Sequence, residues 1–286
     1  AFTTAMSGYQ ETMTDPSYLG QHIIFSTAHV GNYQASEEVV QSKCCHATSL
    51  IARNFSYNDF LAQTDVPLFS GVDTRSLVKY LTTSKVSHKS VITNSESSPS
   101  PAEFENAKLH CEDLERVGQI EKQVHIEGDN PIALINYGCK QAIIERLTSF
   151  GFPLVSFPHT ASAGEIQGLN PRLIFLSNGP GDPRKLTSQI EQVKEMLKLN
   201  IPMRGICLGH QLLTLALGAK NYKLPFGQRG VNHPVLDHVS GQILITSQNH
   251  GYATEEESFR EVSKASQNPT GRDFIVQHRS LFDSSI

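Results

Sequence analysis

Along the second half of the chain, short apolar runs alternate with stretches whose apolar residues recur at helical spacing, and that alternation predicts the fold. Ile132 to Asn136 (I-A-L-I-N) suits a buried strand, and Gln141 to Phe150 carries Ile143, Ile144, Leu147 and Phe150 at helical intervals. Phe152 to Phe157 and Arg172 to Leu176 read as two more strands. Ser188 to Leu199 then reads as a helix with Ile190, Val193, Met196 and Leu197 on one face, and Ile201 to Ile206 returns as a strand. Strands separated by helices predict an α/β domain with a doubly wound, mostly parallel sheet, whose ligands bind outside the carboxyl ends of the strands. Two segments fall at such ends: Ser177 to Pro183, and the residues that follow Ile206.

The first half has another texture. β-like runs at Gln21 to Ser26 and Ser90 to Thr93 accompany a helical pattern from Thr74 to Leu81, which predicts a mixed β/α domain. A polar, proline-bearing stretch from Asn94 to Glu103 reads as a surface loop or flexible segment. The polar segment Glu121 to Pro131 separates the two textures and places a boundary at 127/128, giving domains 1–127 and 128–286. Downstream, Ile243 to Thr246 reads as a strand followed by a polar turn at Ser247 to Tyr252, and Phe226 to Pro234 reads as a polar loop.

Composition narrows the function classes. At 286 residues there is room for two domains, each with its own core. A net charge of -4 and a pI near 6.3, without a basic run, give no electrostatic footprint for nucleic acid or an anionic membrane. No stretch approaches the apolar length of a membrane span, and no secretory signal opens the chain, so a cytoplasmic or organellar location is expected. Five cysteines, an odd number, argue against a disulfide framework. Cys44-Cys45-His46 invites a metal, but no second Cys/His cluster stands at ligand spacing, so none is expected.

The candidate chemistry lies in Gly205-Ile206-Cys207-Leu208-Gly209-His210-Gln211. A cysteine between two glycines, where an apolar strand becomes a helix, is the thiol form of the nucleophile elbow. The glycines let strand and helix approach while the reactive residue takes a strained conformation. A helix from about His210 to Leu217 would point its positive end at Cys207 and lower its pKa. Thiolate attack on an amide creates an oxyanion, which needs N–H donors. The Leu208 N–H and the loop Asn178-Gly179-Pro180-Gly181 are positioned to supply them.

Together, G-I-C-L-G-H-Q at 205–211, N-G-P-G-D-P at 178–183, Phe226 to Val235 and S-Q-N-H-G-Y at 247–252 resemble the class I, cysteine-triad glutamine amidotransferases. The first half sharpens this. Phe2 to Glu11, Thr14-Asp15-Pro16-Ser17-Tyr18, Gly31-Asn32-Tyr33 and Gly71-Val72-Asp73-Thr74-Arg75 look like the N-terminal domain of the carbamoyl-phosphate synthetase small-subunit family. The resemblance implies that Cys207 forms a γ-glutamyl thioester and that ammonia passes by tunnel to a large subunit. Leu208 and Gly181 would supply oxyanion N–H groups, and Ser17, Gly179, Gln211, Asn249, Gly251 and Tyr252 would hold L-glutamine. No cofactor is implied for this chain; ATP and a divalent metal belong to the large subunit. Whether the product serves arginine or pyrimidine synthesis stays open.

The family completes its triad with a His-x-Glu pair in a Q-G-H-P-E segment after Ser-Leu-Phe-Asp. Here Ser280-Leu281-Phe282-Asp283 is present, no His-x-Glu follows Cys207, and the family's opening β segment does not precede Ala1. The chain is therefore expected to be a piece of a longer subunit. His210, His233 and His250 are weak candidates for the missing base. Asn136 stands where the family more often has Asp, a position expected to be structural. Two further readings remain: a noncatalytic partner that docks on the synthetase, and a free-standing cysteine hydrolase.

Overall fold

The structure is a computed structural model that describes residues 1–84, 90–93, 97–106, 114–117, 120–264 and 274–286. The first half runs β1 (Phe2–Thr3), α1 (Tyr9–Met13), β2 (His22–Phe25), β3 (His29–Val30), β4 (Ser49–Ile51), β5 (Asn54–Phe55), α2 (Asp59–Ala62), β6 (Leu68–Phe69), α3 (Thr74–Thr83) and α4 (Pro101–Asn106). Strands β1, β2, β4 and β6 form a parallel sheet in that order, over a core that includes Met13, Ile23, Phe25, Leu50 and Leu61. The Asp73 carboxylate accepts the Ser76 N–H and so caps α3, which fixes its start beside the expected one.

Two expectations for this half change. Residues 90–93 form no strand. The end of the polar stretch is helical, with Pro101 at the first position of α4, where its missing N–H costs nothing; residues 94–96 lie outside the described residues.

The second half continues with β7 (Gln123–Ile126), β8 (Ile132–Asn136), α5 (Gln141–Thr148), β9 (Leu154–Pro158), α6 (Ala163–Gly168), β10 (Leu173–Leu176), α7 (Thr187–Leu197), β11 (Met203–Gly205) and α8 (Leu208–Ala216). The sheet order is β11-β10-β8-β9-β7, parallel except for β7, which pairs antiparallel with β9. This is the doubly wound α/β sheet that the apolar runs predict. Ala133, Ile135, Ile174 and Leu176 are fully buried against Val193, Leu208 and Leu212 from the helices. From β8 the chain winds to β9 on one side and to β10 on the other, so a crevice opens between the ends of β8 and β10. The Ser177 hydroxyl bridges that crevice by accepting the Tyr137 N–H at 2.9 Å.

A long antiparallel ribbon follows, β12 (Asn221–Asp237) with β13 (Ile243–Thr254), then α9 (Glu256–Lys264) and β14 (His278–Ser280), which pairs with β12. The segments 226–234 and 247–252 are thus strand and not loop. Their polar side chains hide the pattern because the ribbon serves the site and not a core. Register shifts at Lys223/Gln228 and Gly230/His233 further break the alternation.

Candidate active site

Cys207 sits between β11 and α8 with φ 50° and ψ -112°, a region that non-glycine residues rarely occupy. Close packing enforces it. A Cβ on Gly205 would lie 2.5 Å from the Gly209 carbonyl carbon, and one on Gly209 would overlap the Leu176 carbonyl oxygen. The Gly209 N–H donates to the Ser177 and Ile206 carbonyls, both at 3.0 Å, which pins the first turn of α8 onto the end of β10. Helix α8 begins at Leu208, two residues earlier than the spacing predicts, so its first N–H lies next to the sulfur.

The surroundings of the thiol nevertheless favour its protonated form. Burial pushes it up to about 11, and the Asp15 carboxylate adds to the rise; the Leu208 N–H, Lys140 and Arg229 act in the opposite direction and lose. The Cys207 Sγ donates to the Asn249 carbonyl at 3.3 Å, a bond that only the protonated thiol can make. The expected lowering by the helix terminus is therefore overturned by desolvation.

Asp15 is the residue that sequence reasoning missed. It comes from the first domain and is buried. Its Oδ1 accepts the Ser17 N–H at 2.9 Å, and its Oδ2 takes the Asn249 side-chain amide at 2.7 Å and Lys140 Nζ at 2.9 Å. Asn178 completes the seam, donating to Ser17 Oγ at 3.0 Å and to the Gly138 carbonyl at 3.2 Å. Ser17, Asn249 and the 178–181 loop thus meet at the domain interface beside Cys207. The one available signal was the D-P-S order, in which an acid two residues before Ser17 caps the turn Pro16–Tyr18.

Replacing Asp15 with Asn should cost about 1–2 kcal/mol, less than the ~3–5 of a fully buried pair because the Lys140 side chain is 32% exposed. It should also lower the Cys207 pKa, since a negative charge that opposes the thiolate is gone. Faster alkylation of Cys207 at mildly alkaline pH in Asp15→Asn is the expected result. An unchanged pH profile would show that Asp15 does not act on the sulfur.

The other anticipated residues fall around this seam. A Cβ on Gly179 would overlap the Tyr137 carbonyl oxygen and meet Leu208 Cδ2 at 2.9 Å, so only glycine fits there. Gly181 has φ 106°, which also favours glycine. Gln211 is buried and donates to the Tyr252 carbonyl at 2.8 Å. The Tyr252 ring is flanked by Lys223 Nζ at 4.3 Å and Arg184 at 5.3 Å from its centroid. Arg184 in turn forks onto Asp182, next to Gly181, at 2.9 and 2.7 Å. Asn136 Oδ1 accepts the Gly138 and Cys139 N–H groups, the turn-stabilising task that an Asp would perform.

On the far side of the ribbon, a cavity of about 260 Å³ is lined by Cys207, His210, Gln211, Gln228, His250 and His278, among others. His250 Nδ1 donates to the Tyr252 carbonyl at 2.8 Å, and burial pushes both the His210 and His250 imidazoles down. His233 stacks edge-on against Phe282. Among the described residues, no hydrogen bond joins any of these histidines to the sulfur.

Residues 133–280 match the class-I glutamine amidotransferase family, and residues 1–92 match the CPSase domain of the carbamoyl-phosphate synthase small chain. The carbamoyl phosphate synthase small chain of Clostridium acetobutylicum is 38% identical over 298 residues, covering 100% of this chain and 82% of that one. The small chain of Caldanaerobacter subterraneus subsp. tengcongensis is 40% identical over 269 residues, covering 90% and 73%. A solved glutamine amidotransferase from Methylobacillus flagellatus aligns at 14% identity over 45% of this chain and 58% of that one, with a TM-score of 0.36.

Proposed function

Since the chain belongs to the carbamoyl phosphate synthase small chain family, with a class-I glutamine amidotransferase domain, we propose that Cys207 is the nucleophile that hydrolyses L-glutamine for a large synthetase subunit. The observation that carries this reading is the strained Cys207 backbone, held between two glycines that tolerate no side chain. The sulfur would attack the γ-carboxamide carbon. Its carbon–nitrogen bond then breaks, the nitrogen leaves as ammonia, and water hydrolyses the resulting thioester to glutamate. The N–H groups of Leu208 and Gly181 would meet the oxyanion. Ser17, Gly179, Gln211, Asn249, Gly251 and Tyr252 would hold the substrate, so the site would be completed by both domains.

The division at 127/128 belongs to this proposal, with β7 lent by the first domain to the sheet of the second. So do a heterodimer with the large subunit, which would bind ATP and a divalent metal, ammonia transfer between the two, and a cytoplasmic location. Among the described residues no helix is long and apolar enough to cross a membrane.

Ammonia release from glutamine, measured with a synthetase large subunit present, tests the reading beside Cys207→Ala. Release by the unaltered chain and a loss of about a thousandfold or more in the variant is the expected result. Equal release from both would remove Cys207 from the mechanism. Silence from both would leave two readings, a need for the family's His-x-Glu pair or a noncatalytic partner of the synthetase. The observation on the side of the noncatalytic partner is the thiol itself, whose pKa burial raises to about 11.

A further inference from the structure

The ribbon strand that ends at the site begins as an uncovered sheet edge. Strand β13 lies at the end of the order β13-β12-β14, so one side of it pairs with β12 and, among the described residues, no strand lies on the other. An open edge presents a row of unpaired N–H and C=O groups that can pair with another chain, and proteins guard against this with charges, proline or a covering element. Three other edges are guarded in this way: Pro67 precedes β6, Arg204 lies within β11, and Lys122 and Glu127 flank β7. The start of β13 has no such guard. Between Asp237 and Glu255 the chain carries no Asp, Glu, Lys or Arg, and Ile243-Leu244-Ile245-Thr246 is rich in residues that favour strands.

Both faces of this edge are apolar and exposed. Directly opposite residues of an antiparallel pair share a face. Ile243 and Ile245 lie opposite Leu236 and Pro234 and are 60% and 67% exposed. Leu244 lies opposite Val235, on the face of the Cys207 cavity, and is 40% exposed. The segment is also complementary to itself. Turned end for end about Leu244, it sets Ile243 opposite Ile245, Leu244 opposite Leu244 and Gln242 opposite Thr246, so apolar meets apolar on both faces and polar meets polar at the margins. A two-fold axis centred on Ile243 or Ile245 would instead set Leu244 against Gln242 or Thr246. With no charge in the segment, two copies that meet there are not driven apart.

We propose that this edge is a self-association surface: a second copy of the chain adds its β13 antiparallel to the first about a two-fold axis at Leu244, joining two three-stranded sheets into one of six strands. Such a contact is isologous and closes after two copies. It stands independently of the glutamine reading. An edge of about five residues is short beside the roughly 800 Å² per partner that a stable interface buries, so the pair should be weak, dissociating at about 10–100 µM.

The test is sedimentation velocity of the full chain from about 1 to about 300 µM, a range that brackets that dissociation constant, beside Ile245→Lys with its melting curve as the check on folding. A shift from monomer to dimer across the range is the expected result. Ile245→Lys should weaken the pair by about tenfold or more, because the two-fold axis places the substitution in the interface twice. A monomer at every concentration overturns the proposal, as does a dimer that a folded Ile245→Lys chain forms equally well. If that variant does not fold, Leu244→Cys decides. The register sets its two copies face to face, so mild oxidation of the concentrated chain should yield more covalent dimer than the unaltered chain gives, whereas Val239→Cys, whose copies the register holds far apart, should not. No excess from Leu244→Cys, or an equal one from Val239→Cys, overturns the proposal. A chain that stays monomeric but loses binding to a large synthetase subunit on Ile245→Lys assigns the surface to that partner and overturns it too.

Discussion

Gly209→Ala is expected to destabilise the chain by about 3 kcal/mol, the upper end of what overpacking usually costs, and to remove Cys207 from its strained conformation. The added Cβ would overlap the Leu176 carbonyl oxygen and lie 2.6 Å from both the Leu176 carbonyl carbon and its Cβ. None of these atoms can retreat. Leu176 is fully buried in the sheet, and its carbonyl accepts the Ile206 N–H at 3.0 Å. Helix α8 must therefore lift from β10, which breaks the Gly209 bond to Ser177 and moves the Leu208 N–H away from the sulfur. For a chain of this size the loss corresponds to a fall in melting temperature of roughly 6–12 °C. Gly168→Ala is the control: nothing lies within 4 Å of its Cβ position at the end of α6, and alanine there should be neutral or slightly stabilising. A Gly209→Ala chain that melts within a degree of the unaltered one would show that the elbow is not held by close packing.

That contrast explains which features the sequence made legible. Apolar runs announce buried parallel strands because both faces are covered, and β8, β9, β10 and β11 all appear within a few residues of their expected spans. The elbow was legible because its glycines answer to a local steric demand. The ribbon was not. Its strands carry Gln228, Arg229, Gln248, Asn249 and His250, which face a cleft and a cavity, so neither strand shows the alternation of a half-buried sheet. Asp15 was hidden for a different reason. Its partners Lys140 and Asn249 lie more than a hundred residues away, and no local spacing reports contacts made only when two domains close on each other.

Alkylation of Cys207 by iodoacetamide should rise about tenfold per pH unit from about pH 7 to about pH 10 and level only near its pKa of about 11, because the thiolate is the reacting form. The magnitudes decide the direction. A helix terminus contributes at most about 2 kcal/mol in a partly buried setting, or roughly one and a half pKa units. Desolvation of a buried group can move a pKa by about 3–5 units the other way. The hydrogen bond to the Asn249 carbonyl adds to the rise, since a carbonyl can only accept and loses its donor when the proton leaves. Stability follows the same sign. A thiol whose pKa is raised by folding helps the fold fully below its unfolded value of about 8.5, and that help disappears as the pH climbs toward 11. Urea unfolding at rising pH should therefore show a falling midpoint over that window in the unaltered chain, and a shallower fall in Cys207→Ala. A rate that levels off below about pH 8 would mean that the Leu208 N–H, Lys140 and Arg229 together outweigh burial. Cys207 would then be a thiolate at rest, ready without any further base. A rate that climbs to pH 10 instead places the activation step after binding: a substrate that displaces the Asn249 carbonyl from the sulfur, or a proton acceptor brought to it, must remove most of the rise.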